Sequence, residues 1–208
     1  MKNSHLNRRD FFALGAGLAA TGCTGAGKSN GGADEQPSVE KFELEERTVA
    51  ELGGSIRSGQ YTCASVTEKY LERIAAIDRP LGLNAVLELN PDARAIAAQL
   101  DNELAAGQDR GPLHGIPVLI KDNIATADRM TTTAGSLALE GSIAPEDSRV
   151  AAGLKAAGAV ILGKANLSEW ANYRGWRSTS GWSARGGQTA NPYALDRNPT
   201  GSSSGSAA

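Results

Sequence analysis

At 208 residues the chain has room for one ordinary domain and an appendage, and 40% hydrophobic with 21% charged residues describe a globular chain, not a disordered one. A formal net charge of −2 and only 5% aromatic residues argue against nucleic-acid recognition, which draws on a basic face or a stacking surface. Two Cys and two His cannot build a four-ligand structural zinc site with redundancy, so neither a metal nor a cofactor is expected.

The N-terminus reads as an address. Lys2, Arg8 and Arg9 form a positive region ahead of the apolar run Phe11–Ala20. That run is too short to span a bilayer of roughly 30 Å as a helix and fits a secretory signal. The pair Arg8-Arg9 resembles a twin-arginine export signal, and Ala20-Thr21-Gly22-Cys23 resembles a lipobox with Cys23 as the lipidated residue. The expectation is export by the twin-arginine route and a periplasmic or cell-surface lipoprotein, touching membrane only through Cys23. Residues 1–23 are then signal, and the Gly/Ser-rich stretch 24–40 a flexible tether. The domain is expected over 41–208, with His114 its only histidine and Cys63 its only thiol. Losing Lys2, Arg8, Arg9 and Asp10 with the signal takes the net charge to −4, which recruits no anionic partner.

Thr48 and Glu51 have capping-box spacing, which predicts a helix with Val49, Leu52 and Ile56 on its inner face and Ser58-Gly59 as its stop. A second helix is predicted over 64–77, with Val66, Tyr70, Leu71, Ile74 and Ile77 on the apolar stripe. Asn84–Leu89 reads as a short strand. Pro91 opens a third helix that buries Ile96, Leu100 and Leu104 and ends at Gly107. The pattern then changes. Ile116–Ile120 is a fully apolar run ending at Lys121. Pro145–Ala157 is helical, with Val150 and Leu154 inward, and Ala159–Leu162 is a second apolar run ending at Gly163-Lys164. Apolar strands separated by a helix indicate a βαβ unit with parallel strands covered on both faces. Functional sites in such sheets lie beyond the carboxyl ends of strands, where Lys121 and Lys164 both fall. Residues 171–208 have little periodicity but carry Trp176 and Trp182 just after Trp170, which suits an ordered loop over a site.

A Ser/Gly-rich segment beside a lysine at a strand end has three readings. A phosphate cradle needs a lysine directly after the glycine loop, and none follows Gly205. A solvated tail is the second. The third is serine-based acyl transfer, with a lysine whose amine is neutralised by burial acting as base. Spacing alone does not choose between Lys121 and Lys164. His114, in Leu113-His114-Gly115, reads as a turn histidine bonded to backbone, not a triad member.

Several ordered blocks now resemble one family. Gly111–Asn123 (GPLHGIPVLIKDN), Thr131–Ser136, Ala157–Asn166, Ser180–Gln188 and Gly201–Ser206 resemble successive motifs of the amidase signature family, and the last blocks are similar to its peptide-amidase-like branch. The resemblance runs from about Val49 to Ala208. It implies an α/β fold with a mixed sheet covered by helices on both faces, of which this is the N-terminal portion. It also implies a Ser-Ser-Lys mechanism for hydrolysing an amide C–N bond, with a small-molecule or peptide amide as substrate, such as a peptide C-terminal amide. Lys121 matches the family base. Ser202 matches the bridging serine, whose preceding peptide bond is cis in the family. The resemblance assigns Lys164 no catalytic role. In the family the nucleophilic serine and its oxyanion donors lie in a second Gly-rich block beyond the bridging serine. The 208-residue chain is therefore expected to be inactive alone, its sheet left with unpaired edges. Alternatives are a non-catalytic truncated product or pseudoenzyme and, with less support, a protein like the amidase subunit of a tRNA-dependent amidotransferase.

Overall fold

The computed structural model describes residues 39–173 and 175–208. The expected export signal, Cys23 and the tether through residue 38 lie outside the described residues.

Helix α1 (Val49–Arg57) opens on the expected capping box: Glu51 N donates to Thr48 Oγ1 at 3.2 Å, and Thr48 N donates to Glu51 Oε2 at 2.8 Å. Leu52 and Ile56 are buried, but Val49 stays half exposed at the first helical position, one turn short of the residues that reach the core. Helix α2 (Cys63–Ile77) is capped twice. Thr62 and Ser65 bond reciprocally, and the Asp101 carboxylate accepts from Cys63 N at 2.6 Å and Ala64 N at 3.0 Å. A carboxylate at a helix start meets unpaired N–H groups and the positive end of the dipole, so this contact also locks α2 onto the helix that carries Asp101. That helix is α3 (Ala93–Ala105), which begins two residues after Pro91.

Strand β1 (Val86–Leu89) starts two residues later than expected, because Asn84 adopts a left-handed conformation with φ 50°. Strand β2 (Pro117–Lys121), helix α4 (Arg149–Ala156) and strand β3 (Val160–Ala165) form the predicted crossover, with β2 and β3 parallel. The order is β1-β3-β2, and β1 runs antiparallel to β3, so the sheet is mixed. All six residues of β3 are buried, which is why its sequence does not alternate. Pairing slips by one residue at Leu162 on β3 and at Leu87 on β1, two bulges that re-aim the side chains near the strand ends.

Two apolar layers flank the sheet. Val160, Leu162 and Ile116 pack with α1, α2 and α3 on one side; Ile161, Ile120, Met130 and Leu154 of α4 pack on the other. Helix α4 begins four residues later than Pro145, with Ser148 capping Ala151 N, and Val150 falls in its first turn with 58% exposure. Ala151 is fully buried in its place, because the helix sits close to the sheet there and a small side chain fits. His114 is buried. Its Nδ1 accepts from Arg110 N at 3.1 Å, so its Nε2–H donates to Leu100 O at 2.9 Å, the backbone-bound turn role expected. Beyond β3 the described residues form a short 3-10 turn (Glu169–Asn172), strands β4 (Trp182–Ser183) and β5 (Gly187–Gln188) and a single-turn helix α5 (Ser204–Ala207), which packs on β2 and β3.

Candidate active site

Lys121 is the last residue of β2. It pairs with Ala165 of β3, so its side chain leaves the sheet at the carboxyl ends of two parallel strands. From there Lys121 Nζ reaches Ser202 Oγ at 2.8 Å. The amine is partly buried, and burial pushes its pKa below the usual lysine range by disfavouring the ammonium form. The peptide bond between Gly201 and Ser202 is cis.

The turn that presents Ser202 is fastened at both ends. Ser202 O accepts from Ser168 N at 3.0 Å, three residues past β3. Ser204 Oγ donates to Thr200 O at 2.7 Å, and Gly205 N donates to Asn166 O at 2.9 Å. Two glycines are required by space. A Cβ on Gly201 would sit 2.5 Å from Ser168 Oγ, and a Cβ on Gly205 would run into Ala85 O and the Asn166 backbone. Asn166 is fully buried and draws four segments together. Its Nδ2 donates to Asn84 O at 2.9 Å and to Thr189 Oγ1 at 3.0 Å. Its Oδ1 accepts from Ser183 Oγ at 2.7 Å, and its backbone holds Gly205.

Lys164 does not join this site. It is fully buried, and its Nζ donates to Ile124 O at 2.7 Å and Thr132 Oγ1 at 3.0 Å. Desolvation lowers its pKa, while Asp122, Asp128 and Glu88 oppose that shift. It ties the segment after β2 to the centre of the sheet. Asp122, next to the site lysine, is also fully buried. Its Oδ2 accepts from Gly135 N at 3.0 Å and from Thr133 Oγ1, and burial raises its pKa against those bonds. Arg185 completes the support, with Nη2 donating to Glu88 Oε2 at 2.7 Å and Nη1 at 3.8 Å from Asp122 Oδ1. Sequence reading missed Asn166, Ser168, Asp122 and Arg185. The partners that matter lie from 11 positions away, for Asp122 and Thr133, to 97, for Arg185 and Glu88, in no periodic pattern. The density of small and polar residues after β3 was the only signal in the sequence.

Trp170, Ala171 and Asn172 follow Ser168 closely with φ of 50°, 56° and 64°. Three successive non-glycine residues in this region cost roughly 1–2 kcal/mol each. The turn is held by Trp170 N donating to Ala134 O at 3.0 Å, Ala171 N to Ser168 O at 2.8 Å, and Asn172 Nδ2 to Ser180 Oγ at 3.3 Å. Beside it opens a cleft of about 530 Å³.

A mixed sheet with helices on both faces, presenting a partly buried lysine to a serine in a Gly/Ser-rich turn, defines an α/β protein with a lysine–serine site. The amidase family model matches residues 65–208, and the chain belongs to that family. A putative amidase of Schizosaccharomyces pombe is 48% identical over 171 residues, covering 82% of this chain and 29% of that protein. A glutamyl-tRNA(Gln) amidotransferase subunit of Renibacterium salmoninarum is 43% identical over 99 residues, 47% of this chain and 18% of its own. Among solved structures, the peptide amidase of Stenotrophomonas maltophilia superposes with a TM-score of 0.77 at 55% identity, covering 80% of this chain and 34% of that one. An amidase family protein of Bacillus anthracis gives 0.75 at 43% identity, covering 79% and 33%. The chain thus spans about a third of the length of these amidase relatives.

Proposed function

We propose that the full-length protein containing this chain hydrolyses amide C–N bonds by serine acyl transfer, with peptide C-terminal amides as the substrate class. The observation that carries this reading is the 2.8 Å contact between Lys121 Nζ and Ser202 Oγ at the carboxyl end of β2. In its neutral form Lys121 takes the Ser202 hydroxyl proton. The Ser202 oxygen takes the proton of a nucleophilic serine, which family resemblance assigns to a second Gly-rich block outside residues 1–208. That serine oxygen bonds to the amide carbonyl carbon. The C–N bond breaks, and the leaving nitrogen departs as ammonia or amine after accepting the relayed proton. Water then cleaves the acyl-enzyme ester and regenerates the serine.

The peptide-amide preference is supported by the likeness to a peptide amidase over 80% of this chain. The amidotransferase likeness covers only 47% of it. We assign residues 1–23 to twin-arginine export and Cys23 to lipid attachment, a reading that rests on Arg8-Arg9 and the run to Cys23. The test of the activity is ammonia release from N-acetylated peptide amides by the full-length gene product and its Lys121→Ala variant. Release by the parent and none by the variant supports the reading. No release by a folded parent, or equal release by both, overturns it. Loss of surface labelling on deletion of residues 1–23 tests the export assignment.

A further inference from the structure

The cleft beside the left-handed turn reaches the lysine–serine pair through two contacts. Ser168 N donates to Ser202 O at 3.0 Å, and the next residue, Glu169, lines the cleft. Ser180 Cβ would lie 3.6 Å from a Cβ on Gly201, and the residue before it, Thr179, lines the cleft as well. The cleft is therefore one residue removed from the turn that carries Ser202 along both segments.

Its walls are chemically uneven. The indoles of Trp170 and Trp182 are 40% and 47% exposed, flat apolar surfaces of the kind that hold another ring. Among the described residues, two charged side chains line it. The Glu169 carboxylate is engaged, with Oε2 accepting from Ala184 N at 2.7 Å. Arg177 is exposed and makes no ion pair among the described residues. Among the described residues its guanidinium is the charge available to a bound molecule, and its fork matches a carboxylate. The backbone strain at Trp170–Asn172 sits in the wall of this cleft, where such strain commonly serves a binding site.

We propose that this cleft is a specificity subsite that selects peptide amides carrying an aromatic side chain and an acidic side chain near the scissile amide. The ring stacks against Trp170 and Trp182, and the carboxylate pairs with Arg177. The inference rests on the amide-hydrolysing reading of the Lys121–Ser202 pair and names its substrates more narrowly.

The test uses the full-length gene product and three N-acetylated dipeptide amides that share a phenylalanine and differ only in Asp, Asn or Lys beside it. The expected kcat/KM for the Asp peptide exceeds that for the Asn peptide about tenfold, with the Lys peptide lowest, as a charge-assisted bond to Arg177 requires. Arg177→Ala brings the Asp/Asn ratio to near one, and Arg177→Glu inverts the Asp/Lys order. Equal rates in the parent, or a ratio that survives both substitutions, overturns the proposal while leaving amide hydrolysis intact. If no peptide amide is hydrolysed, the activity reading fails and quenching of tryptophan fluorescence decides the subsite. Tighter binding of the Asp peptide, lost in Arg177→Ala, supports it; indistinguishable titrations sink it.

Discussion

Lys121 and Ser202 stand 81 residues apart in the chain, yet Lys121 Nζ lies 2.8 Å from Ser202 Oγ. Two strand ends and one tightly fastened turn bring them together. Lys164 lies near the same end of the neighbouring strand, and among the described residues its Nζ bonds to Ile124 O and Thr132 Oγ1.

The two lysines should therefore fail differently when replaced. Lys121→Met in the full-length gene product is expected to lower kcat by about 10²–10⁴, the usual contribution of a positioned base, with little change in melting temperature. Lys164→Met removes a buried amine and leaves Ile124 O and Thr132 Oγ1 without their donor, so it should lower the melting temperature and the yield of folded protein. Steady-state kinetics and thermal denaturation of the two variants side by side distinguish the roles. Full activity in Lys121→Met would refute the assigned base.

The pH dependence has a fixed sign. Burial lowers the Lys121 pKa below the ordinary lysine value of 10.5, and an amine acts as a base only when neutral. The value of kcat/KM should rise with pH through the folded-state pKa, with its midpoint below the ordinary 10.5. The same depression acts on stability. Between the folded and unfolded pKa values the unfolded chain holds a proton the native chain has released, so the Lys121 contribution to stability grows with pH in that window. A pH–rate profile and a pH–melting series test both statements, and Lys121→Met should remove the two effects together.

Arg185 bridges β1 and the residue after Lys121, with Glu88 on one side and the fully buried Asp122 on the other. Arg185→Met removes the guanidinium that pairs with Glu88 and stands beside the buried Asp122. Breaking a partly buried charge-assisted contact in this way costs about 1–3 kcal/mol. Chemical denaturation should report a loss of that order. Glu88→Gln combined with Arg185→Met should recover part of it, because one uncompensated charge is gone.

Cys63 is fully buried at the first position of α2, and burial, together with the Asp101 carboxylate, pushes its thiol up to about 12. It should resist thiol reagents at about pH 8 in the native protein, below the ordinary thiol range, and react only on unfolding, as peptide mass spectrometry would reveal. The linkage sign follows. The unfolded thiol ionises near its ordinary value of 9.0 while the native thiol stays protonated, so its contribution to stability is full below pH 9 and falls between pH 9 and about 12. The stability of the parent relative to Cys63→Ala should decline across that window.

What could be read in the sequence had a period or a cap. The Thr48–Glu51 box, the stripe of α2 and the two apolar runs were legible because local chemistry fixes them. Lys121 and Lys164 could not be told apart by spacing, since both end an apolar run; only a recognised motif separated them. Val150 was misplaced because its helix begins at Arg149, which leaves Val150 exposed in the first turn while Leu154, one turn on, packs inward. The supports of the site escaped entirely. Asn166 meets Asn84 and Thr189, and Arg185 meets Glu88, through tertiary closure that no local rule encodes.

Asn166 has a bearing on how such a protein diversifies. Its side chain and backbone clamp the base of the long excursion after β3, at Ser183, Thr189 and Gly205, while Tyr173 and Trp176 at the tip stand almost wholly in solvent. Substitutions at the tip then leave the clamp, and with it the lysine–serine spacing, undisturbed. Selection can rewrite the outer part of the loop one residue at a time, so descendants sharing one reaction centre can part ways in their preferences without first passing through an inactive ancestor.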